Sequence, residues 1–267
     1  MSTRSPTQSE AIRALVPAPV KSAVQQIRLR TSRFRRPQYR ADGMALLDRN
    51  TAFLDEPRFL SAYHAGMASG HKINGGGNLG IEWRIHVGCW AASHALRIEG
   101  DFVECGVNTG MMSLAICQYV DFNRTGRSFW LFDTFRGIPI EQAASAEERA
   151  HVRIHNEANY FDCYELTKQN FAPYPRAKLI RGTVSETLGS VQIDRVSYLS
   201  IDMNVAAPER AALEHFWPKL TSGAVVLLDD YGFRGYEDQH READFFAAAN
   251  GVSVLSLPTG QGMLVKP

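Results

Sequence analysis

From Asp101 onward the chain alternates between two hydrophobic patterns. Short apolar runs recur: FVECGV (102–107), FWLFD (129–133), AKLIRG (177–182), VSYLSID (196–202) and GAVVLLDD (223–230). Unbroken β-branched and leucine-rich runs of this length predict strands covered on both faces of a parallel sheet. Stretches with helical spacing lie between them: Met111 to Val120, a long insertion from Ala144 to Phe171, a short piece at Glu186–Leu188, and Pro208 to Leu220. Tyr236 to Asn250 predicts a further helix. VSVLSL (252–257), a PTGQG turn and MLVKP (263–267) then read as an antiparallel hairpin on one sheet edge. Strands alternating with helices imply right-handed crossovers and an α/β fold.

The chain before Asp101 has a different texture. Residues 46–98 read as a helical cap, in which Glu82 to Arg97 sets Ile85, Cys89, Trp90, Ala92 and Leu96 on one apolar side. The cap is interrupted by HKINGGGNLG (71–80), whose glycines at 75, 76, 77 and 80 fit a lid or entry loop. A phosphate cradle is poorly matched there, because no strand precedes the loop and no Lys-Ser/Thr follows it. Residues 1–45 form a basic arm. Arg28, Arg30, Arg33, Arg35, Arg36 and Arg40 follow a modest helical pattern of Ile12, Leu15, Val20, Val24 and Ile27. Such an arm fits a peripheral membrane contact or an anionic partner, and equally a solvated helix that frays. The remainder, 99–267, is the α/β domain.

Composition narrows the classes. An apolar content of 45% over 267 residues is ample for a core, and a net charge of +1 gives no field that favours nucleic acid. Cys89, Cys105, Cys117 and Cys163 show no paired spacing, so free thiols in a reducing cytoplasm are expected. No apolar stretch approaches the ~20 residues of a membrane span. The N-terminus lacks a basic-then-apolar signal pattern.

The chemistry is concentrated where the predicted strands end. Asp202 closes one apolar run and the Asp229-Asp230 pair closes another. In an open α/β sheet, ligands sit beyond the carboxyl ends of the strands, so these acids converge on one crevice. Carboxylates gathered there suit a hard divalent cation, although strand-end acids also serve as helix caps. FVECGVNTG is a strand, a glycine turn and a helix start, a place where backbone approaches a ligand closely. Its Gly106-x-x-x-Gly110 spacing is not the dinucleotide fingerprint, and a plain tight turn explains it as well. Asp133 ends the next strand, where an acid either holds a ribose diol or caps a helix.

ECGVNTG, LFDTFRGIP, RGTVSETL, SID, FWPKLTSGAVVLLDDYG and LPTGQGMLVKP together resemble the macrocin-type sugar O-methyltransferases. The similarity covers roughly residues 80 to 267, with DTFRGIP and LLDDYG its most distinctive parts. It implies a class I methyltransferase, Rossmann-like fold: a seven-stranded, mainly parallel sheet with an antiparallel last strand, preceded by N-terminal helices. It also implies S-adenosylmethionine as methyl donor and a sugar-containing acceptor. Glu104 and Gly106 would form the methionine-side turn, with Asn108 and Gly110 beside them. Asp133 would hold the ribose hydroxyls, Thr134 and Phe135 would lie beside the adenosine, and Val184 and Ser185 would flank the adenine. Asp202, Asp229 and Asp230 would bind Mg²⁺, with Asp202 also next to the cofactor and serving as base. One departure stands out. Where the family commonly has Asp-x-Asp, this chain has Asp202-Met203-Asn204, which removes one negative charge.

The acceptor is expected to meet the Gly75–Gly80 loop, the 141–171 insertion with His151, His155, Tyr160, Phe161 and Tyr164, and the Tyr231–Tyr236 segment. His86, His94 and His240 are weaker base candidates, and Gln261 in the PTGQG turn could reach the site, although a turn glutamine is more often solvated. Trp90, Trp130 and Trp217 read as core. A metal-independent transferase acting on nitrogen or on a lipid- or glycan-linked acceptor is the competing enzyme reading, and a non-catalytic cofactor-binding partner protein is the third. The aromatic insertion is consistent with a homo-oligomer.

Overall fold

The computed structural model describes residues 37–267, together with Pro17, Pro19, Val20, Ala23 and Val24. The arginine cluster from Arg28 to Arg36, on which the basic-arm expectation rests, lies outside the described residues. The chain divides into two units, residues 1–40 with 44–51, and residues 41–43 with 52–267. In the first part of the described chain, β1 (Tyr39–Ala41) and β2 (Met44–Leu46) form a two-stranded ribbon.

The larger unit is built around the apolar runs. β3 (Asp101–Cys105), β4 (Phe129–Asp133), β5 (Ala177–Arg181), β6 (Val196–Ile201), β7 (Leu220–Leu228), β8 (Leu255–Ser256) and β9 (Gly262–Val265) form one seven-stranded sheet. The order across it is β5-β4-β3-β6-β7-β9-β8. All pairings from β5 to β7 are parallel, and β9 runs antiparallel to both neighbours. Every residue of β6 is buried, as its unbroken apolar sequence requires of a central strand covered on both faces. β8 keeps only two of the six residues in VSVLSL, and both are exposed. It is a short, solvated edge, which limits pairing with other chains.

Helices cover both faces. α1 (Pro57–Met67) packs through Phe59, Ala62 and Tyr63 on α2 (Glu82–Ala95) and α3 (Met111–Val120), and those two helices pack on the face carrying Phe102, Leu131, Tyr198, Val225 and Leu227. α1 approaches α3 closely at Gly66, where a Cβ would lie 2.5 Å from the Met111 carbonyl oxygen. The insertion resolves into α4 (Ala146–Asn159) and α5 (Tyr164–Asn170). Ser145 caps α4 by accepting from the Glu148 N–H at 2.9 Å. Glu148 in turn accepts from the Ala206 N–H at 3.0 Å and so ties the insertion to the start of a later helix. α6 (Val184–Thr187), α7 (Ala206–Phe216) and α8 (Glu237–Ala249) belong to the opposite face, with Val103, Phe132, Leu199 and Val226. α7 stops at Phe216 rather than running to Leu220, because Pro218 cannot continue the α-helical ladder.

One core assignment is corrected. Trp90 is 51% exposed. α2 buries Ile85, Gly88, Cys89, Ala91, Ala92 and Ala95, and at roughly 100° per residue Trp90 falls nearly opposite the middle of that stripe. There it stacks on His94, with centroids 5.6 Å apart. Trp217 is buried, and the partly buried Trp130 donates its indole N–H to Asp101.

Candidate active site

The parallel register brings the chemistry together. Cys105 of β3 pairs with Ile201 of β6, which pairs with Leu228 of β7. The ladder continues one step further: the Asp202 N–H donates to the Cys105 carbonyl and the Asp229 N–H to the Ile201 carbonyl, at 2.8 and 2.9 Å. Asp202 and Asp229 therefore emerge side by side. Gly106 is required at this point, since a Cβ there would sit 1.7 Å from the Asp202 carbonyl oxygen. The sheet order reverses direction between β3 and β6, which is where an open α/β sheet leaves its crevice.

A cavity of about 290 Å³ occupies that crevice. Glu104, Gly106, Asn108, Asp133, Thr134, Phe135, Val184, Asp202, Asp229 and Asp230, all picked out from the sequence, line it. Gly110 and Ser185 do not. Gly110 is the left-handed residue that opens α3 against Phe171, and Ser185 is exposed. All three segments expected to meet an acceptor contribute to the wall, through Leu79, Tyr160 and Tyr236 among others. His86, His94 and His240 lie elsewhere: His86 stacks on Phe53, His94 on Trp90 and His240 on Tyr231.

At the β6–β7 end, one carboxylate oxygen from each of Asp202, Asp229 and Asp230 lies within 4.8 Å of the others. Asp230 is buried, and its Oδ2 has no hydrogen-bond partner among the described residues. Burial pushes Asp202 and Asp230 well above the usual carboxylate range, and neighbouring acid charges add to the shift. Glu209, buried in the first turn of α7, is raised for the same reason and accepts from the Met203 N–H. An all-oxygen set that is short of positive charge fits a hard divalent cation.

Arg84 from α2 supplies a fixed counter-charge. Its Nη1 donates to Asp229 Oδ2 at 2.9 Å, and its Nε and Nη2 grip Asp42 at 2.8 and 2.7 Å. Burial works against the guanidinium charge, but the two carboxylates outweigh it and raise its proton affinity. Gln261 is not solvated: it is 1% exposed and donates to Asp229 Oδ1 at 3.0 Å. Asn204 is also inside the network. Tyr236 donates its hydroxyl to Asn204 Oδ1 at 2.8 Å, while Asn204 Nδ2 faces Asp202 Oδ1 and the Tyr160 hydroxyl at 3.3 and 3.4 Å.

At the β3–β4 end the charges meet backbone. Asp133 Oδ2 accepts from the Val107 and Asn108 N–H groups at 2.5 and 2.7 Å, and Oδ1 accepts from the Phe135 N–H at 2.6 Å. A carboxylate has about four lone-pair sites, and these three bonds leave one on Oδ1 for a ribose hydroxyl. Glu104 is 3% exposed, and burial pushes it up to about 8.

Sequence reasoning missed Arg84, Glu209 and His71 as lining or supporting residues. A helical arginine and a first-turn glutamate are ordinary surface features, and nothing in their spacing marks them as buried. His71 stood in view as the first residue of the glycine loop.

The strand order and crevice define a class I methyltransferase type of α/β fold. The solved O-methyltransferase NovP shares it with a TM-score of 0.60 at 21% identity, covering 68% of this chain and 79% of that one. The calicheamicin methyltransferase CalS11 is similar with a TM-score of 0.54 at 18% identity, covering 68% and 78%. A model of the macrocin-O-methyltransferase (TylF) family matches residues 88–253, more than half of the chain, and the chain belongs to that family. Two relatives are each 26% identical. One is the 8-demethyl-8-(2,3-dimethoxy-alpha-L-rhamnosyl)-tetracenomycin-C 4'-O-methyltransferase of Streptomyces olivaceus, matched over 53% of this chain and 56% of its own length. The other is the mycinamicin III 3''-O-methyltransferase of Micromonospora griseorubida, matched over 56% and 66%. The chain thus spans a little over half to two thirds of these relatives.

Proposed function

We propose that this chain transfers the methyl group of S-adenosylmethionine to a hydroxyl of a sugar or glycosylated small molecule, assisted by a divalent cation such as Mg²⁺. The observation that carries the reading is the triad of Asp202, Asp229 and Asp230 in the same cavity as Glu104 and Asp133. The family and the two sugar-directed relatives support the acceptor class. Glu104, Gly106 and Asn108 would hold the amino acid end of the donor, while Asp133, Thr134, Phe135 and Val184 would hold the nucleoside.

A sugar hydroxyl is a poor nucleophile at neutral pH. A divalent cation, when bound, lowers the pKa of an oxygen it coordinates and fixes its direction. The protein's own share is orientation and proton removal. Asp202 lines the same cavity as Glu104 and Asp133, so it would face the acceptor hydroxyl and take its proton. Asn204, Tyr160 and Tyr236 fix its surroundings. Methyl transfer from S-adenosylmethionine to a panel of sugar nucleotides and glycosides, with and without EDTA, tests the reading. Methylation of a sugar hydroxyl that EDTA abolishes and Mg²⁺ restores is the expected result.

A second reading has its own support. Arg84 already delivers a positive charge to Asp229, and Asn204 stands where an acid is common in the family. A metal-independent methyltransferase of other acceptor specificity would use that guanidinium in place of an ion. Turnover insensitive to EDTA selects it.

A further inference from the structure

Four buried polar atoms on cavity-lining residues have no hydrogen-bond partner among the described residues: Asp230 Oδ2 in the acid cluster, and Glu104 Oε2, His71 Nδ1 and Asn108 Nδ2 away from it. Native structures rarely leave such atoms unpaired, so each asks for a ligand group. His71 is 4% exposed. Its Nε2 lies 3.0 Å from the Gly77 carbonyl oxygen, which can only accept, so Nε2 carries a proton. In the neutral ring, Nδ1 is then a bare acceptor. Asn108 presents the opposite polarity. Its Oδ1 is taken by the Cys163 thiol at 3.5 Å, which leaves the amide N–H groups to donate.

His71 reaches this end of the cavity through a clasp. The Thr109 hydroxyl donates to Ser69 Oγ at 2.9 Å, and Asn170 Nδ2 donates to the Ser69 and Thr109 carbonyls at 2.8 and 3.0 Å. The segment after α1 is thereby fastened to the β3–α3 turn that carries Asn108, two residues before His71. Two acceptors and one donor form the complement of an α-amino acid: an ammonium donates to the acceptors and a carboxylate accepts from the amide.

We infer that His71 is a binding residue for the amino acid end of S-adenosylmethionine, its Nδ1 accepting from the α-ammonium beside Glu104 Oε2. The inference rests on the donor named above and adds a contact from the glycine loop, which the sequence marks only as a lid.

Calorimetry on the full chain with two probes separates the possibilities. S-adenosylhomocysteine carries the amino acid group, whereas 5′-methylthioadenosine keeps the nucleoside and lacks it. His71→Gln places its amide where Nε2 was and has no acceptor at the Nδ1 position; His71→Asn does the reverse. His71→Gln is expected to weaken S-adenosylhomocysteine about tenfold or more, the loss of one hydrogen bond to a charged group, and to leave 5′-methylthioadenosine unchanged. His71→Asn is expected to stay within about threefold of the unsubstituted chain for both probes, since it keeps that bond. Unchanged S-adenosylhomocysteine affinity in His71→Gln overturns the inference. So does equal weakening of both probes, which marks a merely structural role, and so does equal weakening of S-adenosylhomocysteine in the two variants. If the unsubstituted chain binds no S-adenosylhomocysteine, the donor reading itself fails.

Discussion

The two ends of the cavity solve the same electrostatic problem differently. At the β3–β4 end, Asp133 is surrounded by backbone N–H groups from its own turn and the one beside it, so its charge is satisfied by local chain geometry. At the β6–β7 end, Asp202, Glu209, Asp229 and Asp230 crowd together, and their partners come from afar. Asp229 receives Arg84 from α2 and Gln261 from the terminal hairpin. The first end is a property of the strand-turn-helix unit. The second is an assembly that stays short of positive charge, which is the condition for holding a cation or a proton.

Asp202→Asn is the most direct way to break that second end. The amide keeps the shape and loses both the charge and the proton acceptor. Turnover should fall by about 10²- to 10⁴-fold, the range for a positioned general base, while the affinity for S-adenosylhomocysteine at the first end stays the same. A variant that retains turnover would remove Asp202 from the chemistry.

Arg84→Met tests the counter-charge. The substitution strips Asp229 and Asp42 of a shared, largely buried partner. Breaking a buried pair by removing one member costs about 3–5 kcal/mol, to be read as a loss of unfolding free energy in urea with EDTA present. Added Mg²⁺ should restore part of that loss, because a bound cation stabilises the folded state by mass action. If Mg²⁺ stabilises neither protein, the three aspartates are not a cation site.

The contrast also explains what the sequence could reveal. Strand-end acids are legible because an apolar run fixes the strand and the next residue is its carboxyl end; Asp133, Asp202 and Asp229 all follow that rule. Gly106 was legible as a turn, although the reason it must be glycine, the neighbouring Asp202 carbonyl, appears only when β3 and β6 pair. Arg84 and Gln261 lie far from the acids in sequence, and no local pattern signals that they fold onto Asp229 or that Asp42 holds the other side of Arg84. Trp90 was misread because six small and apolar residues of α2 define the buried stripe without it.

Glu104 sharpens the comparison through pH. Burial raises it from the usual 4.5 to about 8 in the folded chain. Below 4.5 both states hold the proton. As pH rises from there to about 8, the unfolded chain gives its proton up first, so stability falls across that window and levels off above it. The slope from this group is at most about 1.4 kcal/mol per pH unit. Without ligand and with EDTA, the difference between the original chain and Glu104→Gln, measured by urea unfolding at pH 6 and pH 8, should carry that slope. A difference that does not change with pH would mean Glu104 is charged in the folded apo chain.

The smallest expected effect belongs to Tyr236→Phe, and it separates positioning from stability. The hydroxyl donates to Asn204 Oδ1 at 2.8 Å in a buried setting, and Asn204 in turn faces Asp202. Losing that bond should lower unfolding free energy by about 1 kcal/mol. If Asn204 serves to aim Asp202, kcat should fall while the affinity for S-adenosylhomocysteine is kept, because Tyr236 reaches only the acid-rich end through this chain of contacts. A fall in stability with kcat intact would make Asn204 a packing residue, and would leave Arg84 and Gln261, which hold Asp229 instead, as the groups that arrange the acids.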